Sequence, residues 1–322
     1  MPAPRRLLLP LGSLRGVARG SAVALPAASA HKLRSVLRLR EGVEVHAFDG
    51  CSGEWRCTVG AGCFSLTVGG QVRAQASDGA GAAPPLLAFS PLRPERTRFL
   101  VEKATELGAG ALLPVACALG QRVDAAGGGG GGGDAWASAR GGVALRTAVW
   151  PEKAREWAAG AAEQCGRLSL PRAAAPAPVA LGELLWAWGG GRAEAALAAL
   201  PPWGAGGGSG GDGARFARAG ALLANSLAPV RGLLLVADVG GEGDATLPSL
   251  QSAMREWGGE GSIAVLVGPE GGWAPQERAV FAALEGSGGA GGDLRCVTLG
   301  PLVLRADTAA VAALAQLAAA RT

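Results

Sequence analysis

The chain has 322 residues, a hydrophobic share of 49% and a formal net charge of +4, which allow one large domain or two moderate ones with buried cores. Its apolar runs are too short to cross a membrane, which excludes a transmembrane protein. The six cysteines and two histidines follow no zinc-ribbon, C-x-x-C or H-E-x-x-H spacing. We therefore expect no metal site, and buried thiols in a reducing compartment.

The positive charge lies near the N-terminus. Ten basic and four acidic residues precede residue 77, so this part carries +6 and the remainder −2. Nearly all of the basic residues are arginine, which suits bidentate contacts with phosphate, although a solvated basic face is the alternative. The first twenty residues are rich in arginine and free of acid, as in organellar transit peptides. We favour a folded strand there.

Residues 1–76 predict a small β-barrel domain. Alternating apolar residues mark strands at 42–48 and 54–59, and each is followed by a glycine-containing hairpin turn. One helix, Ala28–Arg40, interrupts the strands. Residues 77–85 are rich in Gly, Ala and Pro and predict a linker.

From residue 86 to residue 322 strands alternate with helices, which predicts a parallel sheet covered on both faces. Strands are expected at 86–90, 111–115, 233–237, 263–267 and 294–299. Helices are expected at Arg93–Leu107, Trp136–Cys165, Pro275–Leu284 and Asp307–Ala320. Glycine accounts for 54 residues, and its tracts predict insertions near 125–134 and 189–213 that take no part in function.

Two segments near the C-terminus have the same pattern. Residues 262–273 and 297–310 are each an apolar strand that ends in a turn built on Gly and Pro and is followed by a helix. In open α/β sheets ligands bind at the carboxyl ends of such strands, and glycines such as Gly268 and Gly300 let a backbone approach one.

The same segments carry a family resemblance. Gly268-Pro-Glu-Gly-Gly272 and the L-G-P-x-x-L-R-x-x-T-A pattern that begins at Leu299 resemble the 16S ribosomal RNA (uracil-N3)-methyltransferases of the SPOUT superfamily. Segments beginning at His31, Glu102 and Glu163 fit in the same order. The resemblance implies a PUA-like barrel followed by an α/β domain with a C-terminal trefoil knot. It also implies methylation of uridine N3 in small-subunit ribosomal RNA, free or in the assembled small subunit.

The resemblance further implies an S-adenosylmethionine cofactor and a set of site residues. The residues expected around the cofactor are Val236, Gly240, Gly268, Pro269, Glu270, Gly271, Gly272, Leu299, Gly300, Leu304, Thr308 and Ala309. Arg305 is expected to be catalytic by stabilising charge on the uracil. The residues expected to contact RNA are Arg5, Arg6, His31, Arg34, Arg38, Arg40 and Arg167. The chain departs from the family at Leu302, where a basic residue is usual, and at Ala274, where a helix-capping Ser or Thr is usual, at a cost of about 1 kcal/mol.

Two other functions remain open. The strand and loop at 233–243 resemble the first motif of Rossmann-type methyltransferases, with imperfect spacing and too few residues after it. A ribosome-binding protein that has the fold without catalysis is the other alternative.

Val311, Leu314 and Leu317 on the last helix suggest a homodimer, or else an intrachain core. We expect the compartment to be the cytoplasm or the stroma or matrix of an organelle.

Overall fold

The computed structural model describes residues 4–75, 83–120, 122–124, 143–146, 149–189, 193, 196–197, 232–240, 247–258, 261–286 and 292–321. The chain forms two compact units. The first consists of Met1–Ala80 and Ala158–Leu170, and the second of Gly81–Trp157 and Pro171–Thr322. The domain boundaries expected from the sequence stay a prediction, but residues 158–170, which they assign to the second domain, pack within the first unit.

The first unit is built on one open sheet. Its strands are β1 Arg6–Leu8, β2 Ala22–Ala24, β3 Glu44–Phe48, β4 Glu54–Val59 and β5 Ser65–Arg73. The order β1-β3-β4-β5-β2 leaves β1 and β2 at the edges, and β1 runs parallel to β3 while the other pairs are antiparallel. Irregular pairing of β4 with β5 bends the sheet. The fold is thus a curled half-barrel, and the barrel prediction is confirmed only in part.

A short helical segment closes the apolar face of this sheet. Helix α1, Ala27–His31, continues into a π-helical turn over Lys32–Val36. Leu33 is fully buried among the sheet's apolar residues, as the helix prediction required. The helix ends four residues before the predicted Arg40, because Arg38 adopts a left-handed conformation with φ of 52°.

The polar centre of the first unit is Glu54, whose side chain is 1% exposed. Its carboxylate accepts hydrogen bonds from Arg6 at 2.8 Å, from Arg73, and from Nδ1 of His46 at 3.0 Å. Burial by itself raises the pKa of Glu54, but the hydrogen bonds from Arg73, His46 and Arg6 outweigh it, and the pKa lies below its ordinary value of 4.5. The charged form of Glu54 therefore stabilises β1, β4 and β5.

The second unit contains a parallel sheet of seven strands. They are β6 Leu86–Phe89, β7 Ala111–Ala116, β10 Arg172–Ala173, β11 Val179–Ala180, β12 Gly232–Ala237, β13 Ser262–Val267 and β14 Asp293–Val297, while β8 Arg122–Asp124 and β9 Val143–Arg146 pair separately. The main order is β10-β7-β6-β13-β12-β14, and β11 also pairs with β7. The helices described after residue 81 are α2 Pro94–Glu106, α3 Trp150–Cys165, α4 Leu181–Gly189, α5 Leu250–Trp257, α6 Pro275–Leu284 and α7 Ala306–Ala320. The part of α3 from Ala158 onward belongs to the first unit.

Most predicted elements of this unit agree with the structure, and one does not. The predicted helix Trp136–Cys165 begins only at Trp150, where Pro151 occupies the first turn, a position that favours proline. Residues 143–146 form β9, so the helix prediction is wrong there, and residues 136–142 lie outside the described residues. The glycine-rich insertions also fall almost wholly outside them.

Helix α7 packs against α2, α5 and the strands β6 and β13. Leu314 and Leu317 are buried at 2% and 0% exposure within this packing. They therefore belong to the core of the unit, and the homodimer stays a prediction that these two residues no longer support. The knot likewise stays a prediction. Among the described residues no helix is long and apolar enough to cross a membrane, and no cluster of His, Cys, Asp and Glu is arranged to hold a metal.

The Glu54 cluster predicts a specific acid sensitivity of the first unit. Since the pKa of Glu54 is lowered by folding, its contribution is complete well above pH 4.5 and is lost as the pH falls through the folded-state pKa. Glu54→Gln should cost about 1–3 kcal/mol at neutral pH, because the buried hydrogen bonds to a charged group are lost. Hydrogen–deuterium exchange of β3 and β4 amides measures both effects.

The matched control is Glu44→Gln on the same sheet, whose carboxylate is 58% exposed and pairs with an exposed Arg56. It should change stability by less than about 0.5 kcal/mol. Equal effects of the two substitutions, or protection in the native protein that persists unchanged at low pH, would contradict the assigned role of Glu54.

Candidate functional site

A cleft of about 250 Å³ lies at the carboxyl ends of β12, β13 and β14. Ala237 at the end of β12 is in register with Val267 of β13 on one side and with Val297 of β14 on the other. The three strands therefore end at the same level, and the loops after them begin side by side. The structure thus brings together the two glycine-rich segments that the sequence singled out.

Two glycines in the loop after β13 lie against other side chains of the protein and have no room for a side chain of their own. A side chain at Gly268 would lie 2.8 Å from the ring of Trp273, and one at Gly271 would lie 3.3 Å from the Cβ of Leu119. Glycine at these two positions thus makes room for the protein's own side chains. Only Gly272, with φ of +72° and open space around it, has the turn conformation that requires glycine.

Trp273 connects two of the three loops, and sequence reasoning missed it. Its side chain is almost fully buried, and its Nε1 donates a hydrogen bond of 2.9 Å to the carbonyl of Ala237. Its ring packs edge-to-face on Phe281 of α6 at 5.0 Å between centroids. Trp273 thereby fixes the loop after β13 to the end of β12 and lines the cleft.

Glu277 organises the start of α6 from a fully buried position. One carboxylate oxygen accepts the N–H of Ala274 at 2.8 Å, and the other accepts the N–H of Ala118 at 2.8 Å. Ala274 lacks a side-chain acceptor, as the sequence indicated, but its own N–H is satisfied by Glu277. Glu277 therefore supplies one of the two hydrogen bonds of a usual capping box, and its bond to Ala118 also anchors the loop after β7.

An ion pair lines the cleft at the end of β12. Asp238, whose side chain is 6% exposed, pairs with Nη2 of Arg278 at 2.8 Å. The same oxygen, Oδ1, accepts the N–H of Val239 at 2.7 Å, while Oδ2 accepts no hydrogen bond from any described residue. The pair links β12 to α6, and Asp238 lines the cleft together with a second acidic residue, Glu270.

The loop after β14 has a structured start and an exposed tip. Gly300 has φ of +148°, and its N–H donates to Oγ1 of Thr298 at 3.3 Å. Leu302 and Val303 at the tip are 74% and 77% exposed. Arg305 is the N-cap residue before α7 and lies in sequence between two residues that line the cleft, Leu304 and Ala306. It is exposed, and its guanidinium is bonded to no described residue. The ion pair with a neighbouring carboxylate, which was its alternative role, is not formed in the described part of the chain.

Most of the residues expected around the cofactor line this cleft. Those that do are Gly268, Pro269, Glu270, Gly271, Gly272, Leu299, Gly300, Leu304 and Ala309. Val236 is fully buried one residue before the end of β12, Gly240 lies beyond the lining residues, and Thr308 faces solvent on α7. Residues 241–243 of the third predicted loop lie outside the described residues.

The residues expected to contact RNA lie in the first unit and have different environments. His31, Arg34, Arg38 and Arg40 are exposed, and Arg5 is exposed with one bond to the carbonyl of Leu37. Arg6 is engaged by Glu54. Arg167 is half-buried and donates to Ser169 at 3.1 Å.

The segment 163–167 has a structural role in this unit. Glu163 accepts the N–H of Leu8 at 2.9 Å and pairs with Lys32. The carbonyl of Gly166 accepts a bond of 2.6 Å from Arg73. These contacts explain why the segment packs beside β1.

The comparisons with known proteins identify the class of the second unit's C-terminal part. Residues 222–318 match the family model described as an RNA methyltransferase domain. This segment contains β12, β13, β14 and the cleft between their loops, although it is less than a third of the chain. The match of residues 222–318 to the RNA methyltransferase domain confirms the family resemblance identified from the sequence.

Solved structures with the same fold cover nearly the whole chain. A structure described as a methyltransferase from Legionella pneumophila, in complex with the cofactor SAM, is 18% identical with a TM-score of 0.61, over 99% of this chain and 98% of that one. Ribosomal RNA small subunit methyltransferase E from Neisseria gonorrhoeae, bound to S-adenosyl methionine, is 22% identical with a TM-score of 0.57, over 98% and 97%. A structure described as an rRNA methyltransferase from Porphyromonas gingivalis is 16% identical with a TM-score of 0.56, over 99% and 98%. At these identities the likeness establishes the fold. No curated protein matches the chain.

The position of Glu277 predicts that its charge holds the cleft loops together. Glu277→Gln should lower the free energy of unfolding by about 1–3 kcal/mol, because an amide can accept only one of the two N–H bonds and sets its NH2 group against the other donor. Glu256→Gln, with a carboxylate 62% exposed, is the control and should change little. Urea unfolding measures both, and a Glu277→Gln variant as stable as the native protein would contradict the assignment.

Proposed function

We propose that the chain transfers a methyl group from S-adenosylmethionine to N3 of a uridine in small-subunit ribosomal RNA. The main observation in support is the cleft where β12, β13 and β14 end in register, inside the segment that matches the RNA methyltransferase domain. The two solved neighbours that contain this cofactor support the choice of methyl donor. The uridine target rests on the motif resemblance at Gly268–Gly272 and Leu299–Ala309.

The residues of the cleft suit the cofactor. Leu304 and Ala309 provide apolar surface for a purine, and the loops at 268–272 and 298–300 provide main-chain donors and acceptors. Asp238 provides one carboxylate oxygen that no described residue occupies, which suits ribose hydroxyls or an ammonium group. The cleft volume is near the lower end of the usual range of about 300–1,000 Å³ for ligand pockets.

When bound, S-adenosylmethionine supplies a methyl group that its sulfonium already activates. The chain must orient the uracil in line with that group. It must also favour loss of the N3 proton, whose pKa lies well above neutrality in free uridine. Arg305, exposed beside the cleft and without a carboxylate partner among the described residues, is placed to stabilise negative charge on the uracil oxygens.

The sheet order argues against a Rossmann-type methyltransferase. We number the main strands β6, β7, β10, β12, β13 and β14 from 1 to 6 in chain order. Their order across the sheet is then 3-2-1-5-4-6. The Rossmann order is 3-2-1-4-5-6, so the fourth and fifth strands are exchanged. The resemblance of residues 233–243 to a Rossmann motif is therefore not supported by their position in the sheet.

A non-catalytic ribosome-binding protein remains the second candidate, because Leu302 is an exposed apolar residue where the family usually has a basic one. Equilibrium binding of labelled S-adenosylmethionine separates the two functions, since a non-catalytic protein needs no cofactor.

The proposal also includes a homodimer and a reducing compartment, either the cytoplasm or an organelle's stroma or matrix. Mass-spectrometric mapping of the modified base, on free RNA and on the assembled small subunit, tests the target.

Arg305→Ala should separate cofactor binding from catalysis. The affinity for S-adenosylmethionine should stay within a few-fold, and the rate of methyl transfer should fall by about 100-fold or more if Arg305 stabilises charge on the base. Arg255→Ala, on the exposed face of α5, is the control. Full activity of the Arg305→Ala variant would give Arg305 a surface role, and joint loss of cofactor and activity would make it a pocket residue.

Asp238→Ala should weaken S-adenosylmethionine binding about tenfold or more, because a hydrogen bond to a charged group contributes about 1.5–3 kcal/mol. The control is Arg278→Ala, which breaks the same ion pair from the other side. Calorimetric titration should show a larger loss of affinity for Asp238→Ala than for Arg278→Ala. Equal losses would mean that Asp238 acts only through the ion pair.

A further inference from the structure

The first unit has an exposed aromatic ring with an arginine beside it. Phe64 is 60% exposed. The guanidinium carbon of Arg34 lies 5.6 Å from the centre of its ring. Single exposed apolar residues are common on protein surfaces, so the exposure of Phe64 becomes informative only through the turn that holds it and the charges around it.

The turn before Phe64 adopts an unfavourable backbone conformation that presents the ring to solvent. Gly62 and Cys63 both have φ of 61°, which is uncommon for a residue with a side chain such as Cys63. Cys63 is buried and its thiol contacts the carbonyl of Leu39 at 3.6 Å. The ring of Phe64 lies so close to Gly62 that an added Cβ would be 2.7 Å from it. The carbonyl of Phe64 accepts the N–H of Leu25 at 2.8 Å, so the backbone under the ring is fixed.

The charges near this turn favour a polyanion. Residues 31–40 include Lys32, Arg34, Arg38 and Arg40 and no acidic residue. Lys32 pairs with Glu163, but the other three are exposed and pair with no carboxylate among the described residues. The π-helical turn that carries Arg34 packs against the turn at Ala61–Cys63.

Phe99 in the second unit is a comparable exposed ring whose neighbouring cations are paired with carboxylates. It is 42% exposed and has the amino group of Lys103 5.9 Å from its ring centre. Lys103 pairs with Glu106, and the neighbouring Arg98 pairs with Glu102. Phosphate would gain little there, so an aromatic ring with a nearby cation is not by itself enough.

We infer that Phe64 is a stacking platform for an unpaired RNA base, with Arg34, Arg38 and Arg40 holding the phosphates on either side. Aromatic rings bind bases of any sequence by stacking, while arginines bind the backbone. A paired base cannot expose its face to the ring, so the platform selects single-stranded or looped RNA. This inference rests on the proposed RNA substrate and assigns one surface that would receive it.

The test compares the full-length protein with Phe64→Ala, Phe64→Trp and the matched Phe99→Ala. The probes are a short single-stranded RNA, a duplex of the same sequence and an abasic oligomer of the same length. Phe64→Ala should weaken binding of the single strand by about tenfold or more, leave the duplex and the abasic oligomer unaffected, and leave the salt dependence unchanged. The Phe64→Trp and Phe99→Ala variants should bind like the native protein.

Arg38→Gly separates charge from stacking without unfolding the protein, because φ of 52° at Arg38 suits glycine better than arginine. It should weaken all three probes alike and reduce the slope of log affinity against log salt by about 0.7. The inference is overturned if Phe64→Ala binds the single strand as the native protein does. It is also overturned if the variant weakens the duplex and the abasic oligomer equally. Labelled S-adenosylmethionine is titrated in parallel, so that failure of the native protein to bind it counts against the proposed function and leaves the stacking result intact.

Discussion

The site depends on one constraint, the register that aligns the carboxyl ends of β12, β13 and β14. Because Ala237 is paired with Val267 and Val297 at once, three loops leave the sheet from the same edge and enclose one cleft. A slip of one residue in β13 would turn Val267 to the opposite face and move the start of the Gly268 loop away from its neighbours. Because β12 and β13 are buried on both faces, such a slip would exchange the side chains that pack on the two faces and disrupt a close-packed core.

The loops around the cleft are held by the protein itself. Trp273 donates to the carbonyl of Ala237, Glu277 accepts from Ala118 and Ala274, and Asp238 pairs with Arg278. Each contact joins segments that are far apart in the sequence or belong to different elements. A ligand entering such a cleft loses little free energy in ordering loops, which raises affinity without requiring additional contacts.

The sequence predicts strands at 263–267 and 294–299, close to those observed at 262–267 and 293–297, because short apolar runs rich in β-branched residues have few alternatives. It also predicted which loops would line the cleft. It did not reveal Trp273, Glu277 or the Asp238–Arg278 pair as a connected set, because their partners are identified only by tertiary contacts. For the same reason it attributed the glycines at 268 and 271 to ligand approach, where the structure shows room for Trp273 and Leu119. The helix predicted across 143–146 failed because periodicity in a short Ala- and Val-rich run does not distinguish strand from helix.

The count of ten basic residues in the N-terminal region overstates how many of them are available to a ligand, for a related reason. Arg6 and Arg73 share the carboxylate of Glu54, Lys32 pairs with Glu163, and Arg56 pairs with Glu44, so four of the ten cations have carboxylate partners. The partner of Arg6 is 48 residues away in sequence, which composition cannot detect. Among the cations that remain in residues 31–40, Arg34 lies over an exposed ring, and at moderate salt the effect of such charges reaches only about 10 Å. Three of the six basic residues without a carboxylate partner among the described residues lie in residues 31–40, so the proposed binding of RNA to this unit depends strongly on that segment. A substitution at Arg6 should act on stability, whereas one at Arg38 or Arg40 should act on binding.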